Sequence, residues 1–172
     1  MMEKEGGNDL AAGNPVLVIG VGNAYRSDDA AGLMAASQIR EKNLPEVEVV
    51  EESGEGAYLM ELWKNRDTVI LFDTFRSESE PGTIHRFEAG AQNVPKDFFH
   101  YSTHLFGVAE AIELARALDR LPPRLIVYGI KGENYSMGPE LSPEVEKAVP
   151  EAVRLAMEDV RKMRTPKQSA LN

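Results

Sequence analysis

The residues with the most chemical potential in this chain are a few acids and one imidazole, placed where apolar runs end. Asp28 and Asp29 follow the apolar run from Val16 to Val21, after a short polar stretch that ends at Ser27. Asp73 closes a second apolar run, Thr68 to Phe72, and His104 opens a stretch of helical periodicity. Two carboxylates and an imidazole, with room for water or substrate between them, make a ligand set for zinc, nickel, manganese or iron. The set does not choose the metal. There is no cysteine, which excludes disulfides, thiolate nucleophiles and cysteine-ligated zinc.

Each of these residues also has a plain structural explanation. Acids in the first turn of a helix are stabilised by its dipole, which accounts for Asp28 and Asp29 taken alone. Asp73 at a strand end can accept hydrogen bonds in a turn, and a single histidine at a helix start is commonly part of the cap region. His85 and His100 are expected at the surface or in loops. It is the joint arrangement of Asp28 or Asp29 with Asp73 and His104 that favours chemistry. His104 follows Ser102 and Thr103, either of which suits a helix cap. In the first helical turn its ring would be held neutral, as a metal ligand must be.

Two other chemistries fit less well. Gly20 and Gly22 match the first two glycines of a dinucleotide fingerprint, but Tyr25 stands where the third belongs, and acids follow where phosphate would lie. No Gly-x-Ser-x-Gly elbow of a serine hydrolase occurs.

The elements that must position these residues are legible from hydrophobic periodicity. Strands are expected at Val16–Val21, Val47–Val50, Thr68–Phe72, Thr83–Phe87 and Leu125–Ile130. Helices are expected from Ser27, as N-cap, to about Lys42, in a short segment after the Gly54/Gly56 turn, and over His104–Leu118 with Leu105, Val108, Ala109, Ile112 and Ala115 on one stripe. A last helix is expected with Ser142 as N-cap and Pro143 at its first position, kinked or restarted at Pro150. Strands alternating with helices give an α/β fold, a three-layer αβα sandwich around a mostly parallel twisted sheet of about five strands. In such sheets ligands bind beyond the carboxyl ends of the strands, where the Asp28-Asp29 pair, Asp73 and His104 are expected to converge.

With 172 residues, the chain is expected to form a single domain over residues 15–164, with a disordered leader at 1–14 and a flexible tail at 165–172. Its net charge of −9 opposes binding to nucleic acid or an anionic membrane. No stretch resembles a signal peptide or reaches membrane-spanning length, so a cytoplasmic location is expected.

The ordered motifs add a resemblance. Gly20-Val21-Gly22-Asn23, then Ser27-Asp28-Asp29-Ala30-Ala31-Gly32, resembles the opening of the hydrogenase maturation endopeptidases. The likeness continues through Gly54/Gly56, Leu71-Phe72-Asp73, Pro81-Gly82-Thr83, Ser102-Thr103-His104, Tyr128-Gly129-Ile130 and Leu141 to Val145, covering roughly residues 15 to 162. The resemblance implies a cytoplasmic aspartyl-type protease that removes the C-terminal extension of a nickel-iron hydrogenase large-subunit precursor. It implies that nickel, carried by the precursor and not held permanently, is contacted by Asp29, Asp73 and His104. Asp29 or Asp73 would then act as the base. The alternative is a non-catalytic metal- or nucleotide-binding α/β module.

Overall fold

The computed structural model describes residues 14–98 and 104–164. The expected tail, and the leader apart from Asn14, lie outside the described residues, as do Ser102, Thr103 and His100.

The apolar run Val16–Val21 forms β1 and is buried along its whole length, as a strand covered on both faces must be. A 3₁₀ turn at Ser27–Ala30 leads into α1 (Ala31–Glu41), followed by β2 (Val47–Glu52), α2 (Gly56–Leu62) and β3 (Thr68–Phe75). Next come β4 (Ile84–Glu88), a short turn at Lys96–Phe98, α3 (Val108–Ala117), β5 (Arg124–Lys131) and α4 (Pro143–Arg164). The five strands form one sheet in the order β2-β1-β3-β5-β4. The first four are parallel and β4 is antiparallel to β5 at the edge.

Alternate residues of the strands feed two cores. Val18, Ile70, Phe72, Ile126 and Tyr128 pack beneath α1 and α4, where Ile39, Val145, Val149, Val153 and Val160 face inward. Leu17, Ile19, Val69, Leu71 and Val127 pack on the other face beneath α2 and α3, against Leu59, Trp63 and Ile112. This is the expected α/β sandwich with helices on both faces of a mostly parallel sheet.

Several boundaries differ from those expected, each for a physical reason. Ser27 does not cap a helix. It sits at φ 50° inside the 3₁₀ turn, and its hydroxyl donates to the Ser136 carbonyl at 2.8 Å. The third strand does not end at Asp73 but continues to Phe75, because β5 keeps pairing with it through Phe75 and Lys131. α3 starts at Val108 and not at His104. The Glu110 carboxylate accepts from the Gly107 N–H at 3.1 Å, which closes the first turn there. Leu105, expected on the buried stripe, is fully exposed. α4 runs unbroken through Pro150, which lies on its exposed side.

Candidate active site

The chain leaves β1 for α1 and β2 on one side, then crosses back to place β3 on the other side of β1. The sheet therefore has a switch point between β1 and β3, and a crevice opens above it. Pairing of β1 with β3 stops at Gly20 and Phe72, whereas β3 continues along β5 to Phe75. Asp73 is thus level with Val21, the last residue of β1, and Thr74 stands beyond it. Gly32 lets α1 begin directly over this crossing: a Cβ there would fall 2.4 Å from the Val21 carbonyl oxygen and 2.6 Å from that of Phe72.

Asp29 is brought in by the turn after β1. Its Oδ2 accepts from the Asn23 N–H at 3.0 Å, and its Oδ1 accepts from the Thr74 hydroxyl at 3.4 Å. Gly22 makes that turn possible, because a Cβ at this position would lie 1.8 Å from the Asp29 carbonyl oxygen. Asp73 accepts from the Thr74 N–H at 2.8 Å. One residue, Thr74, therefore donates to both carboxylates.

Asp29 and Asp73 line a single cavity of about 30 Å³, together with Thr74, Tyr135, Ser53 and Asp97. That volume holds a water molecule or a metal ion. Burial pushes both carboxyls above the ordinary range. Asp29 is partly restrained by hydrogen bonds from Asn23 and Thr74 and by the charges of Arg26 and Arg76. Asp73 lies well above 3.8: after burial, the Thr74 N–H works against the shift and the neighbouring Asp29 charge adds to it. Two acids with unequal tendencies to ionise, facing one small space, can divide the work of charge and proton between them.

The adjacent acid has a different role. Asp28 is wholly buried and holds the loop after β5 in place. Its carboxylate accepts from the N–H groups of Glu133 and Asn134 at 2.8 Å each, and from Ser142 through N–H at 2.7 Å and hydroxyl at 2.8 Å. The Ser142 hydroxyl, expected to cap α4, is directed to Asp28 instead. Through this loop Asp28 positions Tyr135, whose hydroxyl donates to the Phe75 carbonyl at 3.1 Å beside the cavity. Burial raises the Tyr135 phenol to about 12.

His104 lies at the same end of the sheet, outside the cavity lining and four residues before α3. It stands near Glu55, whose carboxyl is held low mainly by the Tyr58 and Ala57 N–H groups, with His104 contributing. Among the described residues, no three His, Asp or Glu side chains are grouped closely enough to hold a metal ion. The structure thus joins two members of the expected trio and leaves the third apart. Thr74, Tyr135 and Asp97 were not singled out from the sequence. Thr74 could have been, as the hydroxyl next to Asp73. Tyr135 and Asp97 sit in stretches without periodicity, so nothing local marks them.

Comparison with known proteins places the chain among relatives of one kind. A family model described as hydrogenase maturation protease matches residues 33–159. The hydrogenase 2 maturation protease of Escherichia coli is 28% identical over 150 residues, covering 85% of this chain and 90% of that protein. The [NiFe] hydrogenase maturation protease HybD from Thermococcus kodakarensis superposes with a TM-score of 0.63 at 27% identity, over 84% of this chain and 97% of the other. The hydrogenase maturating endopeptidase HybD from E. coli shares the fold, with a TM-score of 0.72 at 22% identity over 87% of this chain and 94% of the other. Among the described residues, no helix is long and apolar enough to cross a membrane.

Proposed function

This chain belongs to the hydrogenase maturation protease family, and from that premise we propose a specific task. It removes the C-terminal extension of a nickel-iron hydrogenase large-subunit precursor and uses the nickel already inserted there as its recognition element. The nickel belongs to the substrate. Asp29 and Asp73 meet it in the crevice above β1 and β3, and His104 is the third donor, which docking must bring in from beside Glu55. Two hard carboxylate donors and an imidazole suit a nickel ion that arrives with its remaining ligands from the precursor.

The observation that carries this reading is the Asp29–Asp73 pair, joined through Thr74 at the sheet's switch point in a cavity of ion size. Their unequal environments divide the roles. Asp29, held by two donors and near two arginines, is the better permanent anion. Asp73, the more strongly raised, is the better proton carrier. Water adds to the scissile carbonyl, Asp73 takes its proton, and that proton then passes to the departing amine. The products are a carboxylate on the large subunit and a free amino-terminated tail. The acidic lining also counts against a phosphate-bearing nucleotide, whose charge it would repel.

The test is incubation with purified precursor, nickel-loaded and nickel-free, read as mass lost from the C-terminus. Shortening of the loaded form alone is expected. Shortening of both would remove nickel from the recognition step. Shortening of neither, with precursor from the same organism, would leave a non-catalytic metal-binding module.

A further inference from the structure

A second hollow lies against the back of the Tyr135 wall. It has a volume of about 420 Å³ and is lined by Arg26, Arg76, Lys131, Glu133, Ser77 and Ser136, with Tyr135 shared between it and the carboxylate cavity. Three cations face it against one acid, in a chain whose net charge is −9. The cations are held in place. The Arg76 guanidinium lies 4.1 Å from the centroid of the Tyr135 ring, and the Arg26 Nε–H donates to the Tyr135 carbonyl at 3.3 Å. Lys131 ends β5, with its backbone fixed by bonds to Thr83 and Gly82 on the strap before β4.

We propose that this basic hollow is a substrate subsite, which receives an acidic side chain of the precursor's C-terminal extension while the scissile bond lies at Asp29 and Asp73. This rests on the processing reading above. The argument is electrostatic and geometric. A carboxylate on the substrate is repelled from the Asp29–Asp73 cavity and attracted to the guanidinium groups directly behind its wall. The two hollows share Tyr135, so one short peptide can span both. Opposite charges on the two sides of that wall fix which way the peptide lies and exclude the reversed direction.

The test uses two fluorescein-labelled peptides covering the cleavage junction, identical except that glutamates beyond the cut in one are glutamines in the other. Binding to the full-length protein is followed by anisotropy. The acidic peptide should bind about ten-fold more tightly, the scale of one charge-assisted hydrogen bond. That preference should fall in Lys131→Gln, be lost in the double variant Lys131→Gln/Arg76→Gln, and shrink as salt is raised. Equal affinity of the wild-type protein for both peptides would overturn the proposal, as would a preference that survives undiminished in the double variant with its native circular dichroism intact. Precursor cleavage is scored separately. A peptide preference without cleavage would refute the processing reading and leave the subsite standing, whereas cleavage without preference would do the reverse.

Discussion

Thr74 and Asp29 are joined across the switch point of the sheet: the threonine hydroxyl, on β3, donates to the Asp29 carboxylate, in the turn after β1, at 3.4 Å. The same residue's N–H serves Asp73 at 2.8 Å. Replacing Thr74 with Val keeps the strand-favouring shape and the N–H but removes the hydroxyl. The Asp29 carboxyl should then rise further, because one of the bonds restraining it is gone. Followed through its carboxyl carbon in a pH titration, Asp29 should ionise at higher pH in Thr74→Val than in wild type. An unmoved titration would show that the hydroxyl does not tune the pair.

Asp28 should matter for stability. Asp28→Asn turns a fully buried acceptor of four bonds into a neutral amide and should cost about 3 kcal/mol in urea unfolding. Although burial opposes it, the N–H groups of Asn134, Ser142 and Glu133 hold this carboxyl below 3.8. A depressed folded value means the stabilisation is present above 3.8 and lost as pH falls through the lower folded value. The gap between wild type and Asp28→Asn should therefore close in strong acid. A gap constant with pH would mean that shape, not charge, is what Asp28 contributes.

Asp73 carries the opposite sign. A carboxyl raised in the folded state is a burden once ionised, and that burden grows as pH rises from 3.8 through the raised folded value. Asp73→Asn should raise the melting temperature at pH 7, with the gain shrinking as pH falls towards 3.8. A variant less stable than wild type at pH 7 would contradict the assigned direction of the shift.

Much of the fold could be read from the sequence because buried parallel strands are written locally, as in Val16–Val21 and Val69–Phe72, where every residue is buried. Asp29 and Asp73 were legible for the same reason, since each follows such a run. What the sequence hid depends on partners distant in the chain. The extension of β3 past Asp73 is imposed by β5, and the bond from Ser142 to Asp28 spans 114 positions. The start of α3 was misplaced because Leu105 fits the apolar period, yet the pair Gly107 and Glu110 marks the true start. His104 lies in the segment before Val108, which is not helical.

The most direct measurement is processing of nickel-loaded precursor by wild type, Asp29→Asn and Asp73→Asn, with each variant's fold checked by its thermal melt. If the two carboxylates carry the reaction, both variants should remain folded and process at least ~100-fold more slowly, the scale of a lost general base. Folded Asp73→Asn cleaving at the wild-type rate would contradict the assignment and move the chemistry away from this cavity.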